Sequence, residues 1–423
     1  MTKRRRWGGR TFGSLRNRNY RLFAAGQVVS NTGSWMQRVA QDWLVLQLTH
    51  DSGTALGITT GLQFLPMLVL SLWGGAIADR YAKRRILMLT QTVMGVLALV
   101  LGILSLTGLV RIWQVYALAF CLGLATVVDN PTRQAFAVEM VGTEGVPNAI
   151  ALNSAVFNLA RIAGPAVAGG VIEFLGLPAA FLLNAASYGA VLIGLKLMRP
   201  AELHPARRAA RGPGQLREAI SYVRARPALW MPMIVVFFVS TFGMNFQVTT
   251  ALMSRTVFHT GAGAFGLAST VLAAGALGGA LLAARRSRPN LRLLLTTALA
   301  FGVLEILTGV MPGYLTFLIA LAPTGLAMLT FTTAANASTQ LATAPDMRGR
   351  VMGLYMLVFL GGTPLGAPLV GWIAAAYGAR MSLIVGGIIS ALATVIVAVL
   401  LTRHRGARLR TYLRPAELAR TSA

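Results

Sequence analysis

The chain has 423 residues, 55% of them hydrophobic and only 12% charged, with a mean hydropathy of +0.65. A soluble protein carries about 25% charged residues, so the composition excludes a soluble class. Apolar runs of about 20 residues select a helical membrane protein over a barrel of short alternating strands. A net charge of +26 would suggest nucleic acid in a soluble chain; here the cations fall between apolar runs, so they report topology and no nucleic-acid partner is expected.

Residues 1–21 form a basic tail, read as uncleaved and cytoplasmic because the first hydrophobic segment, 22–48, holds Asn31, Arg38 and Asp42 and no small-residue cleavage site follows. In that segment Gln27, Asn31, Ser34, Arg38 and Asp42 recur every three or four residues and fall on one helical stripe. A polar stripe on a spanning helix faces the bundle interior or a wet cavity. Arg38 and Asp42 stand one turn apart and can pair. Either the pair is neutralised for insertion and packing, or Asp42 takes and releases a proton under the influence of Arg38 and a substrate.

Segment 55–78 runs into Gly74-Gly75-Ala76-Ile77-Ala78-Asp79-Arg80-Tyr81-Ala82-Lys83-Arg84-Arg85, with one carboxylate and four cations before the span 86–107. Gly74 and Gly75 permit close helix approach. Asp79, at a membrane boundary, needs a positive partner, which a helix N-terminus of another part of the bundle would supply. The alternative is a solvated basic loop in which Asp79 only balances charge.

Span 112–130 closes on Asp129, one turn before Arg133, and a pair at the boundary suits a gate better than substrate contact. Glu139 and Glu144 fall in the following loop and should face water. Span 149–175 carries Arg161 midway, with Asn153 on its broad face. Asp42 and Glu305 are the acidic residues well inside spans, so Arg161 either holds an anionic substrate group or ties to Asp42. Span 179–198 follows.

Residues 199–227 are the one long connection. Its first part, through Gly212-Pro213-Gly214, is a flexible basic linker. In its second part Leu216, Ala219, Ile220 and Val223 have helical spacing, which fits an amphipathic helix on the inner leaflet or a plain linker helix. Span 228–254 concentrates Phe237, Phe238, Phe242, Met244, Asn245, Phe246 and Gln247, suited to an amphipathic ligand or to ordinary packing. Spans 265–284, 291–311, 314–339, 351–376 and 381–402 complete the set, before a basic tail at 403–423. Glu305, in 291–311, must turn inward or carry a proton and has no assigned role.

Twelve spans place both tails on one side. That side carries 33 Lys and Arg against three on the other, Arg111, Arg255 and Arg380, so both termini are cytoplasmic by the positive-inside rule. The expected fold is all-α, with six-helix bundles at 22–198 and 228–402 flanking the loop 199–227. Repetition supports it. Gly74-Gly75-Ala76 recurs as Gly278-Gly279-Ala280, and Gly164, Gly169 and Gly176 recur 202 residues later as Gly366, Gly371 and Gly378. The second copy keeps the cations Arg285 and Arg286 and lacks a carboxylate. Parallel repeats about a membrane-normal axis characterise one transporter architecture, with substrate held between the halves.

The segment from Gly74 to Arg85 resembles the signature between helices two and three of the major facilitator superfamily, and the resemblance covers essentially the whole chain. Asp129-Asn130-Pro131-Thr132-Arg133-Gln134, Asn148-Ala149-Ile150-Ala151-Leu152-Asn153, Arg161-Ile162-Ala163-Gly164-Pro165 and the Arg226-Pro227 step look most like bacterial siderophore (enterobactin) and macrolide exporters. The resemblance implies two pseudo-symmetric halves that rock about a central site. It also implies a cytoplasmic gate in which Asp79 clamps against helix eleven in the outward-facing state, with Gly75, Arg80 and Arg84 in the same network. Gly164-Pro165 and Gly169-Gly170 are similar to an abbreviated antiporter motif of helix five, which favours export.

No enzyme signature is present. A Gly-x-x-x-x-Gly-Lys loop is missing, so ATP drive within this chain is not expected. His50, His204, His259 and His404 do not cluster with one another or with Cys121, so neither metal nor cofactor is expected. The sequence therefore reads as a monomeric secondary transporter of the bacterial inner membrane, exporting a small amphipathic compound (a drug, siderophore or secondary metabolite) in exchange for protons. Asp42 is the coupling candidate. Arg38, Asn31, Arg161 and Asn153 are substrate or coupling candidates, and Gly75, Asp79, Arg80, Arg84, Asp129 and Arg133 are gate candidates. A proton-coupled importer and a non-transporting membrane sensor or scaffold are the other readings.

Overall fold

The computed structural model describes residues 13–204, 215–284 and 291–418. The basic residues before Gly13, the linker 205–214 with Gly212-Pro213-Gly214, Arg285, Arg286 and residues 419–423 lie outside the described residues, as do the side chains of Glu144, Leu216 and His404.

The first six long helices are α1 (Arg18–Leu48), α2 (Gly53–Arg80), α3 (Lys83–Leu106), α4 (Ile112–Gly142), α5 (Gly145–Leu175) and α6 (Leu177–Leu197). A short α7 (Gln215–Arg224) leads into α8 (Pro227–Val257), α9 (Ala262–Ala284), α10 (Leu291–Val310), α11 (Tyr314–Leu341), α12 (Arg348–Tyr377) and α13 (Ala379–Leu418). Eleven of these are long and apolar enough to cross a bilayer. The twelfth spanning helix is α1, 31 residues long, whose polar stripe keeps its mean hydropathy low.

Local chemistry sets several boundaries. Asn17 and Ser52 cap α1 and α2 by accepting from the backbone N–H of Tyr20 and Ala55, at 3.0 and 3.3 Å. Gly176 and Gly378 adopt φ of 85° and 94° at the α5–α6 and α12–α13 turns, a left-handed conformation that glycine enters at little cost. The two turns are one repeat apart, so the duplicated glycines mark duplicated corners.

Helix α4 corrects the expected end at residue 130. Pro131 lacks an N–H and frees the Val127 carbonyl, a defect that often ends a helix. Here Gly74 of α2 packs directly against that carbonyl, and the helix continues to Gly142, where φ 66° and ψ 175° break it. Glu139 is therefore helical rather than in a water-facing loop. It is 9% exposed and accepts a 2.7 Å ion-paired hydrogen bond from Lys83.

The two halves meet along α2–α12 and α5–α9. A methyl group at Gly53 would stand 2.6 Å from the Gly371 carbonyl oxygen, and one at Gly169 would stand 3.0 Å from the Gly263 Cα. Gly57 lies against the Ala367 carbonyl and Gly266 against that of Pro165. Lipid tails are as apolar as leucine, so such seams depend on close backbone approach rather than on water exclusion. At the same end Asp51 accepts from Arg255 at 2.9 Å, and Trp43 of α1 stacks on Phe265 of α9 at 6.3 Å. The halves are sealed at the end carrying the α1–α2 turn.

Helix α7 packs on the second half. Ala219 and Val223 are buried, Glu218 pairs with Arg350 of α12 at 2.6 Å, and the Tyr222 hydroxyl accepts from the Ala344 N–H at 3.2 Å. Ala219 and Val223 are thus used against protein, while Ile220 of the same helix stays exposed.

The seam makes a prediction. In a Cys121→Ser background, an Asp51→Cys, Arg255→Cys pair should cross-link readily on oxidation. Adding Gly57→Val, which forces a branched side chain onto the Ala367 carbonyl, should lower the yield several-fold; an unchanged yield would show that the glycine seam does not control closure at this end.

Candidate functional site

Two cavities share the wall formed by Trp35 and Arg38 of α1. The first, of about 110 Å³, lies inside the N-terminal half. On its lining Asp129 is fully buried and accepts from Thr90 Oγ1 at 2.7 Å, Gln91 Nε2 at 2.8 Å and Arg133 Nε at 3.0 Å, with Arg133 Nη2 closing a forked pair. Arg133 Nη1 also donates to Gln27 and, at 3.1 Å, to Asn31. Around them Ser34 meets the Tyr188 hydroxyl at 3.2 Å, Gln37 accepts from Asn184 at 2.6 Å, and Gln41 donates to Gln63 at 3.1 Å.

This network corrects the placement of Asp129 and Arg133 at a helix end. Because α4 runs on for three further turns, the pair is interior, and its partners all belong to the first half. Two of the five stripe residues on α1, Gln27 and Asn31, are engaged in bracing α4.

The second cavity, of about 200 Å³, lies at the seam between the halves. Arg38 and Asp42 of α1, Arg161 and Pro165 of α5, Met244, Phe246 and Gln247 of α8, Phe265 of α9 and Met328 of α11 line it. Asp42 is 1% exposed and accepts from Gln247 Nε2 at 3.2 Å, a hydrogen bond that crosses the halves. Its Oδ2 has no hydrogen-bond partner.

Arg38 does not form the expected ion pair with Asp42. Among the described residues no Arg38–Asp42 bridge within 4 Å occurs. The guanidinium lies instead over the Trp35 ring at 4.7 Å and 5.6 Å from that of Phe64. A delocalised cation on an aromatic face needs no carboxylate to be accommodated. Arg161 likewise makes no ion pair with Asp42 among the described residues. Asn153 lines neither cavity; at two turns from Arg161 it lies about 12 Å along α5.

Of the gate candidates, Gly75 is buried, Asp79 half-buried and Arg80 exposed at the end of α2. Arg84 is engaged elsewhere: it donates to the carbonyls of Leu195 and Lys196 at 2.8 and 3.3 Å, capping the end of α6. In this state these two hydrogen bonds go to α6 rather than to Asp79.

Sequence reading missed Gln63, Thr90, Gln91, Asn184 and Tyr188 as site residues. Each is a buried polar side chain in an apolar span, which was the available signal. Gln247 stood out in sequence only as part of an aromatic and amide cluster.

The profile of the transmembrane secretion effector family matches residues 9–411. The staphyloferrin A transporter of Staphylococcus aureus is 28% identical over 247 residues, 58% of this chain; the match spans 62% of that protein's own length. The enterobactin exporter EntS of Shigella flexneri is 24% identical over 390 residues, 90% of each chain. Among solved structures, a bacterial homolog of the human lysosomal transporter Spinster, inward-facing and unoccupied, superposes with a TM-score of 0.74 at 14% identity, covering 90% of this chain and 96% of that one. That likeness concerns the fold.

The buried network predicts a stability effect. Asp129→Ala leaves the Arg133 charge without its forked partner and should destabilise the protein by about 3 kcal/mol, read by unfolding in detergent. Combining Asp129→Asn with Arg133→Gln should recover most of that loss. Equal destabilisation by the double variant would show that the charge pair itself is not what matters.

Proposed function

The chain belongs to the transmembrane secretion effector family, transporters of the major facilitator type, and from that premise we propose that it exports a small amphipathic compound in exchange for protons. In this reading it works in the bacterial plasma membrane as a monomer, and the 33-to-3 distribution of Lys and Arg makes both termini cytoplasmic. The observation that carries the proposal is Asp42: a buried carboxylate at the seam, bonded across the halves to Gln247, with one oxygen unpartnered, in a cavity shared with two arginines.

The chemistry follows from those groups. The free Oδ2 of Asp42 accepts either a proton or a hydrogen-bond donor on the substrate, and one excludes the other. That exclusion is what exchange requires, because a carrier that binds both ligands at once would move them the same way. Arg161, without a counter-ion among the described residues, holds an anionic or acceptor group of the substrate. Trp35, Phe246, Phe265, Met244 and Met328 receive its apolar body. Siderophores, named for both relatives, combine such donor, acceptor and apolar features.

With both termini cytoplasmic, the sealed Asp51–Arg255 end would face outward in this reading. Closing the other end brings the N-terminus of α12, after Arg348, toward Asp79, where helix-end N–H groups attract a carboxylate. Gly75 and Arg80 belong to that joint. Asp129 and Arg133 hold α1 against α4 so that Asp42 keeps its place.

Three outcomes test the reading. Asp42→Asn should abolish uphill transport of siderophores and lipophilic dyes into inverted vesicles while leaving expression intact; full proton-driven activity would end the coupling role, and transport in the opposite direction under the same gradient would mark an importer. Arg161→Ala should raise KM about tenfold for anionic probes, about 1.4 kcal/mol, with a smaller change for neutral ones. Asp79→Asn should slow turnover more than it weakens binding, and an unaltered rate would remove Asp79 from the gate.

A further inference from the structure

Glu305, on α10, has no part in the seam cavity, yet it is 1% exposed in the middle of a spanning helix. It stands where α8 is interrupted. Residues Val239–Gly243 form a π-turn, Met244 and Asn245 leave the helical conformation with ψ of 28° and 35°, and regular helix resumes at Phe246. π-Turns concentrate at functional sites, and broken spanning helices are where transporters place coupling ions.

The carboxyl reaches the break from behind. A methyl group at Gly243 would stand 2.8 Å from Glu305 Oε2 and 2.7 Å from Ser390 Oγ. One at Gly386 would stand 2.8 Å from Glu305 Oε1 and 2.7 Å from the Phe242 carbonyl oxygen. Both Glu305 Oε2 and Ser390 Oγ are buried without a hydrogen-bond partner. Phe301, edge-on to Phe246 at 6.0 Å, closes the pocket.

No basic side chain among the described residues pairs with Glu305. On the elements packed around it, Arg380 of α13 donates to the carbonyls of Gly309 and Met311 at 3.1 and 2.6 Å, and Arg255 of α8 pairs with Asp51. The Tyr314 hydroxyl of α11 donates to the Ala264 carbonyl at 2.7 Å. Arg292 and Arg403 stand at the far ends of α10 and of the spanning part of α13. An ionised carboxylate buried here would face no countercharge among the described residues, a strongly unfavourable state.

We propose that Glu305 is a second proton-binding site, which holds a proton while the α8 break packs against it and releases that proton to water when the break moves. The opposite face of the same segment lines the seam cavity through Met244, Phe246 and Gln247, so cargo and proton act on one joint from two sides. The site is distinct from Asp42 and stands whether or not Asp42 carries a proton.

Infrared spectroscopy of the purified full-length protein tests this. In the Asp42→Asn protein, a carboxylic-acid carbonyl band should be present at mildly acidic pH, disappear reversibly as the pH is raised, and be absent from the Asp42→Asn, Glu305→Gln protein. A band common to both proteins, no band at all, or a Glu305 band that persists at every pH would overturn the proposal, the last by showing a sealed structural acid. Should the Glu305→Gln protein not fold, Ser390→Ala in the Asp42→Asn background removes the adjacent hydroxyl and should shift the band and its titration; an unshifted band would equally overturn the assignment.

Discussion

Inside a bilayer no solvent completes what the protein leaves unpaired, and the whole arrangement depends on how each buried charge is answered. Asp129 is answered fully, by two side-chain donors and a forked arginine, and it joins α1, α3 and α4 into one rigid unit. Arg38 is answered by aromatic faces. Asp42, Arg161 and Glu305 are not fully answered. The satisfied groups build the scaffold, and the groups left short of partners are the ones free to engage a ligand or a proton.

The second constraint is that lipid supplies little hydrophobic drive between helices, so association rests on close packing and dipolar contact. The seam meets it with Gly53, Gly57, Gly169 and Gly266, whose missing side chains let one helix backbone touch another. Such a contact is short-ranged. It holds the halves firmly at one end, yet a modest rotation releases it, which suits a carrier that alternates between two closures. The repeated glycines 202 residues apart place equivalent corners in both halves. The Gly74–Arg85 segment is not symmetric with its second copy, which has no carboxylate.

Both cavities meet at Arg38 and Trp35, so the braced interior of the first half and the seam share one wall. A shift of α1 changes both at once. The hydrogen bond from Gln247 links Asp42 to α8, just beyond the point where that helix is interrupted.

Much was legible from residue order alone. Composition and run length decided a helical membrane protein, cation placement decided the expected orientation, and the α1 stripe was visible because helical periodicity is a local property. The docking of α7, the extension of α4 past Pro131 and the choice of partner for Arg38 were not legible. Pro131 looks like a helix end until Gly74 covers the carbonyl it frees, and an Arg38–Asp42 pair one turn apart looks like an ion pair until Trp35 and Phe64 offer the guanidinium another place. Spacing along a helix determines which side chains share a face; which of them touch depends on what the neighbouring helices bring within a few ångströms. Gln247 lies 205 residues from Asp42, and only the meeting of the two halves puts them together.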